Sequence, residues 1–311
     1  MLKLIIVGTV AAIASANSIV NQEMVDFIRQ TNALWQPASV SENRFANYTD
    51  QQLQSLLGTV LHTPQTLPQN VPRVQPLKDL PSSFDSRTEW PGCVHAIKDQ
   101  QQCGSCWAFA ASEALSDRFC IASKGQTNVV LSPQDMVSCD TQNYACDGGY
   151  LNKAWEFLEK EGIPTDQCEP YKSGDGKTVP ACPSTCTDSS QEYVKYKCET
   201  GSTKQANGVE ATKTLISQSG PVETGFRVYA DFYNYKSGVY HHVLGKYLGG
   251  HAVKLIGWGV DGNQNYWIAA NSWGTSFGEN GFFKIQQKDC GIDDATFGCT
   301  PQLNQAKEFY Q

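Results

Sequence analysis

The sequence predicts an α+β protein in which a helical half precedes a strand-rich half, with a cleft between the two layers. Three observations lead there. Helical periodicity is concentrated between residues 106 and 160. From about Tyr193 onward, alternating and apolar strand-like runs take over. All 12 cysteines fall between Cys93 and Cys299, whereas residues 17 to 79 hold none, so a disulfide-framed body follows a separate N-terminal piece.

The composition allows such a body. Of 311 residues, 40% are hydrophobic and only 18% charged, which suits one large or two modest domains and excludes disorder. Twenty-four basic against 31 acidic residues leave a formal charge of −7, which argues against a nucleic-acid binder needing a basic face. Twelve cysteines on a chain of this size point to an oxidising compartment.

Taken in order, residues 1 to 16 read as a signal peptide. Lys3 precedes an apolar run reaching Ile13, and Ala14-Ser15-Ala16 forms the small-x-small cleavage pattern. The run has about 10 apolar residues where a membrane span needs about 20, and no later segment is long and apolar enough.

Next comes a helix from Gln22 to about Asn32. Thr49 and Gln52 then form a capping box opening a helix in which Leu53, Leu56, Leu57 and Val60 share a face. Asn47-Tyr48-Thr49 is a candidate glycan acceptor. Prolines 64, 68, 72, 76 and 81 enforce an extended stretch suited to lying along a groove and open to cleavage.

In the body, helices are expected from Cys106 to about Ile121, from Pro133 to Ser138 after the Ser132 cap, and from Tyr150 to Lys160. In the last, Leu151, Ala154, Trp155 and Leu158 form the buried stripe, and Gly162 and Pro164 end it. Val222, Thr224, Phe226 and Val228 alternate with Glu223, Gly225, Arg227 and Tyr229. Apolar strands follow at 252 to 258, 266 to 270 and 282 to 285. Asp99 reads as a solvated turn residue, and Glu113 and Asp117 as the outer face of the first body helix.

The candidate chemistry centres on Gln100 to Ala110. Cys106 falls in the first turn of its helix, where unpaired N–H groups and the macrodipole favour a thiolate. Of the histidines at 62, 95, 241, 242 and 251, the first lies in the N-terminal piece and the second in the irregular stretch before Cys106. Asp261-Gly262 is a hairpin turn, and His251 and Asn271 each lie ten residues from Asp261, which brings them opposite or within one register step. The Asn271 amide can then orient the imidazole without withdrawing its positive charge, and Trp273 can cover the contact. His241 and His242 read as strand residues at the cleft edge.

Gln100, Cys103-Gly104-Ser105-Cys106-Trp107, Cys146-Asp147-Gly148-Gly149-Tyr150, Gly249-Gly250-His251-Ala252 and Asn271-Ser272-Trp273-Gly274 together resemble the papain-like cysteine peptidases, most of all the cathepsin B branch. Leu80 to Asp85 resembles the mature start of that branch, Ser237-Gly238-Val239-Tyr240 its barrel, and Trp35, Phe45 and Leu57-Gly58-Thr59 its propeptide.

The resemblance implies a two-lobed fold with the active cleft between a helical left lobe, about 92 to 190, and a β-barrel right lobe, about 191 to 300. It implies a propeptide over 17 to 79 and a mature peptidase over 80 to 311. Cys106 would be the nucleophile, His251 the base and later acid, and Asn271 the orienting group. Gln100 and the Cys106 N–H would form the oxyanion hole of an endopeptidase working through a thioester.

Gly148 and Gly149 would pair with substrate main chain, Gly104 and Gly250 would flank the P1 residue, and Trp273 would lie on the primed side. The implied disulfides are Cys93–Cys120, Cys103–Cys146, Cys139–Cys182 and Cys168–Cys186, with Cys198, Cys290 and Cys299 left open. Implied partners are protein and peptide substrates, the chain's own propeptide as inhibitor and cystatin-like inhibitors. No metal or other cofactor, nucleic acid or membrane span is expected. The expected state is a monomer, made as a zymogen for the secretory pathway, with a lysosome-like, vacuolar or extracellular destination.

Two departures from the cathepsin B pattern carry information. That branch has an occluding loop whose paired histidines hold a substrate's C-terminal carboxylate, and residues 169 to 185 contain no histidine. An open primed side and internal cleavage are therefore expected. Ala295 stands where the branch commonly has a glutamate in the S2 pocket, so an apolar P2 residue is expected over arginine. Cys103-x-x-Cys106 alone would also suit a redox pair or half a zinc site, but the βαβ context of the first and a second closely spaced ligand pair for the other are lacking. A catalytically dead homologue would usually lose Cys106 or His251, and both are present.

Overall fold

The computed structural model describes residues 18–31, 33–61 and 69–303. The expected signal peptide, Asn32, His62, Pro64 and Pro68 lie outside the described residues.

The N-terminal segment forms α1 (Gln22–Gln30), capped by the Asn21 side chain accepting from Met24 N at 2.8 Å, then β1 (Trp35–Pro37) and α2 (Asp50–Gln54). The Thr49/Gln52 capping box is present. The helix it opens is shorter than the periodicity predicts: Leu53 and Leu56 are buried, but Val60 is exposed on extended chain. Past the Ser55 cap the chain leaves the helix, and at Gly58 it passes so close to Gly104 that a Cβ on Gly58 would overlap the Gly104 carbonyl.

The body opens with β2 (Phe84–Asp85) and α3 (Ser86–Glu89). The helical lobe is built on α4 (Cys106–Ala122), α5 (Pro133–Cys139) and α6 (Leu151–Lys160). The Ser132 hydroxyl caps α5 by accepting from Asp135 N at 3.2 Å. Trp107, Ala111, Leu115, Met136, Trp155 and Leu158 lie in one core cluster. Helix α4 is buried on every side, because small residues on one face admit its helical neighbours and a sheet covers the other. Glu113 and Asp117 therefore do not form an outer face. They are 4% and 0% exposed and meet the Lys254 amine, at 3.8 Å and 2.6 Å.

The second lobe contains β3 (Lys204–Ala206), α7 (Val209–Ser219), β4 (Val222–Tyr229), β5 (Tyr235–Tyr240), β6 (Tyr247–Asp261), β7 (Gln264–Ala270), β8 (Phe282–Gln286) and β9 (Thr296–Gly298). Its sheet runs β1-β5-β8-β7-β6-β4-β9-β3, with β2 also on β6. The expected barrel is thus an open sheet, since its end strands β1 and β3 do not meet.

One edge is supplied by the N-terminal segment: Trp35 pairs with Gly238 and Gln36 with Ser237. At the other edge, the extended chain around Arg73 pairs with Gln205, with Val74 N donating to Gln205 O at 3.0 Å. Strand β4 does not follow simple alternation. Glu223 and Gly225 are buried like their neighbours, and Trp155 Nε1 on α6 donates to the Glu223 carboxylate at 2.7 Å.

The disulfides are Cys93–Cys120, Cys103–Cys146, Cys139–Cys182, Cys168–Cys186 and Cys198–Cys299. Cys290 stays a thiol, as does Cys106. Among the described residues, no helix is long and apolar enough to cross a membrane, and no cluster of metal-ligating side chains occurs.

Candidate active site

Cys106 is the first residue of α4, and β6 of the opposite lobe brings its neighbour Ala252 into the helix's core cluster. Before the helix, the Cys103–Cys146 bridge ties the turn to the loop carrying Gly148 and Gly149. The Ser105 hydroxyl contacts Tyr171 Oη at 3.0 Å, and Tyr171 Oη in turn donates to Gln100 O at 3.0 Å. Gln100 is anchored from the other lobe as well. Its N–H donates to Ser272 O at 2.9 Å, and its Oε1 accepts from the Ser272 hydroxyl at 2.7 Å. That second bond fixes the side-chain amide with Nε2 facing the cleft.

His251 sits on β6 opposite Phe226 of β4. The β6–β7 hairpin closes with Asp261 facing Gln264, and a bulge follows between Leu255 and Gly257. Lys254 faces Ala270, the last residue of β7, so His251 and Asn271 are diagonal rather than directly opposite. Their side chains still meet, with His251 Nε2 and Asn271 Oδ1 2.7 Å apart. Ser272 N donates to the same oxygen at 2.8 Å, holding the amide. The Trp273 ring covers the pair, 4.5 Å from the imidazole, and stacks on Tyr233 at 5.2 Å and 8°.

The N-terminal segment fills the space between these groups. Gln100 Nε2 donates to Leu56 O at 3.0 Å and to Cys103 O at 2.8 Å. Gly58 N donates to Cys106 Sγ at 3.4 Å, and the Thr59 hydroxyl lies 3.2 Å from the same sulfur. Thr59 N donates to Gly250 O at 3.0 Å, Gly149 N to Gly58 O at 2.8 Å and Val60 N to Gly149 O at 2.9 Å. The segment therefore runs parallel to the chain at Gly149 and antiparallel to it at Gly250. Gly148 must be glycine here: its φ is +112°, and a Cβ would stand 2.6 Å from Gly58 O.

Coverage sets the charge state. Burial pushes the Cys106 thiol above its ordinary range, against opposing hydrogen bonds from Thr59 and from the backbone at 252, 58 and 107. Burial also pulls His251 down to about 4, although Asn271 and the Leu56 backbone act the other way. The expected easily ionised thiol is thus overridden here, because desolvation outweighs the helix N-terminus.

Residues 59 to 61 continue into a cavity lined also by Leu151, Gly225, Arg227, Cys290, Asp294 and Ala295. Leu61 Cδ2 would lie 2.8 Å from a Cβ on Gly225.

Sequence reasoning named Gln100, Cys106, His251, Asn271, Trp273 and the glycines, but missed Ser272, Tyr171 and Arg227. Ser272 stood inside a quoted motif, with nothing local to show that it grips Gln100. Arg227 was placed on the outward side of an alternating strand. Asp99 is not a solvated turn residue: it is half-buried, bridges antiparallel to Trp273, and is reached by Arg44 of the N-terminal segment at 3.1 Å. His242 stacks on Tyr229 at 3.8 Å and contacts Asp231 at 3.2 Å, and Trp35 Nε1 donates to His241 O.

The family model of papain family cysteine proteases matches residues 80–300. The chain is 43% identical to cathepsin B-like cysteine proteinase 4 of Caenorhabditis elegans, with 72% of this chain and 76% of that one aligned. It is 39% identical to the cathepsin B-like CP3 of Giardia intestinalis, covering 93% and 96%. Among solved structures, procathepsin B S9 from Trypanosoma congolense superposes with a TM-score of 0.83 at 32% identity, over 91% of this chain and 99% of that one. With its whole body matched by the family model and its N-terminal segment included in the alignment to a proenzyme, this chain belongs to the papain family of cysteine proteases, among the cathepsin B-like members.

Proposed function

We propose that the chain is the zymogen of a cysteine endopeptidase, with residues 17 to 79 as propeptide and 80 to 311 as mature enzyme. Cys106 Sγ attacks the scissile carbonyl, and His251 receives the thiol proton and returns it to the leaving amine. The developing oxyanion takes the place that Leu56 O now holds on Gln100 Nε2, with the Cys106 N–H as second donor. Water then hydrolyses the thioester, and Asn271 keeps the imidazole oriented throughout. Gly148 and Gly149 hold substrate main chain, Gly104 and Gly250 flank P1, Trp273 borders the primed side, and Ala295 floors an S2 pocket for an aliphatic or aromatic P2 residue.

The observation that carries this reading is the Leu56 carbonyl on the Gln100 amide, with the next residues hydrogen-bonded to the cleft walls as a peptide would be. The segment passes the oxyanion donor first and Gly149 afterwards. An acylating substrate would have its carbonyl at Cys106 and its N-terminal residues at Gly149, so the segment lies in the reverse direction and is not cut. Internal cleavage is supported by the histidine-free stretch between Cys168 and Cys186.

Acid favours release. Covered His251 is held near 4 by burial, whereas a solvated imidazole titrates near 6.5. Between those values the uncovered state binds the extra proton. The covered state is therefore favoured above pH 6.5 and loses on the order of 3 kcal/mol as pH falls to 4. This suits the secretory pathway with a lysosome-like, vacuolar or acidified extracellular destination.

A thiol-directed irreversible peptide mimic should label the processed chain at Cys106 and fail on Cys106→Ala. Labelling that persists in that variant would overturn the reading.

A further inference from the structure

Two charged side chains stand at the lip of the cavity that takes Leu61. Arg227 projects from β4 and Asp294 from the turn after Cys290, and Nη1 of the first lies 3.5 Å from Oδ2 of the second. Their side chains are 40% and 58% exposed. The pair has a built seat. Gly291, at φ +72°, leaves the space the guanidinium occupies, and a Cβ there would overlap Arg227 Nη1 and lie 2.6 Å from Asp294 Oδ2. The backbone holds both ends: Arg227 N donates to Cys290 O at 2.8 Å, and Asp294 N to Gly291 O at 3.1 Å.

A half-exposed pair with one nitrogen near one oxygen contributes little to stability. Its effect on a third charge entering the cavity is larger, because that charge meets both signs at close range. An acidic side chain gains Arg227 and is repelled by Asp294, and a basic one meets the reverse. Only an uncharged side chain enters without penalty.

We propose that Arg227 and Asp294 determine specificity together: each masks the other, so the pocket rejects both signs of charge at P2, and removing either one admits the ion opposite to the survivor. The proposal rests on the peptidase reading above and extends it from an apolar floor at Ala295 to a charge filter at the rim.

The test uses full chain allowed to mature, active sites titrated, and three peptides of one sequence with Leu, Glu or Arg at P2. Wild type should cleave Leu well and both charged peptides poorly. Asp294→Asn should raise the Glu-to-Leu ratio of kcat/KM about tenfold without raising the Arg-to-Leu ratio. Arg227→Ser should raise the Arg-to-Leu ratio by a similar factor, and Arg227→Lys should keep the wild-type profile. Ratios that do not move in Asp294→Asn, or that rise for both charges alike, overturn the proposal. Should wild type cleave none of the three, the peptidase reading itself fails, and the two failures are distinguishable.

Discussion

At the scale of single residues, the Gln100 amide is the group on which both states converge. Its Oε1 is held by the Ser272 hydroxyl, so Nε2 is aimed before anything binds. Gln100→Ala should lower kcat of matured enzyme about 10²- to 10³-fold with a smaller change in KM, measured by steady-state kinetics on a Leu-P2 peptide. Ser272→Ala should lower kcat in the same direction but less, because it frees the amide without removing it.

The residues proposed to do the chemistry were legible because their types and spacings are demanding: Cys106 at a helix start, His251 after two glycines, Asn271 past the hairpin. Partners that merely aim them, such as Ser272 and Tyr171, were not, because hydroxyl hydrogen bonds spanning 172 and 71 residues leave no local signature. The ionisation of Cys106 was misjudged for a related reason, since the helix N-terminus can be read from sequence but the desolvating cover cannot.

At the scale of elements, α4 and β6 carry Cys106 and His251, and a buried ion cluster joins them. Lys254 Nζ meets Asp117 at 2.6 Å, and Asp117 also contacts the His95 ring at 2.7 Å and accepts from His95 N at 3.0 Å. Glu113 is pushed up to about 7 by burial, which the Lys254 charge only partly offsets. Lys254→Met leaves the Asp117 carboxylate buried beside fewer donors and should cost about 3 to 5 kcal/mol, read from urea unfolding of the full chain.

Glu113 and Asp117 read as an outer face from their charge, but whether a charged side chain meets water or a lysine of another lobe depends on tertiary packing. For the same reason β4 was read as simply alternating, when α6 covers Glu223 and the N-terminal segment at Thr59 and Leu61 covers Gly225.

At the scale of the whole molecule, the N-terminal segment is part of the architecture. It adds an edge strand beside β5, places Phe45 edge-on to Trp273 at 5.4 Å, pairs Arg44 with Asp99 and threads the cleft. Its separateness was visible in the absence of cysteine, and its extended linker in the prolines. Its close passage at Gly58 was not, because that is set by how near Gly104 stands in the folded body. The open sheet was likewise beyond the strand pattern, which shows where strands are but not whether the outermost two meet.

Coverage by residues 56 to 60 holds the Cys106 thiol and the His251 imidazole neutral, and uncovering should let them ionise. The direct measurement is the rate of Cys106 alkylation by a small neutral reagent from pH 4 to 9, in the full chain with its segment retained and in the matured form, with Cys290→Ser in both. Matured enzyme should react at least about 100-fold faster near pH 6 and hold that rate well below the ordinary thiol range, while the full chain reacts slowly until alkaline pH. Equal rates and equal pH profiles in the two forms would contradict the account.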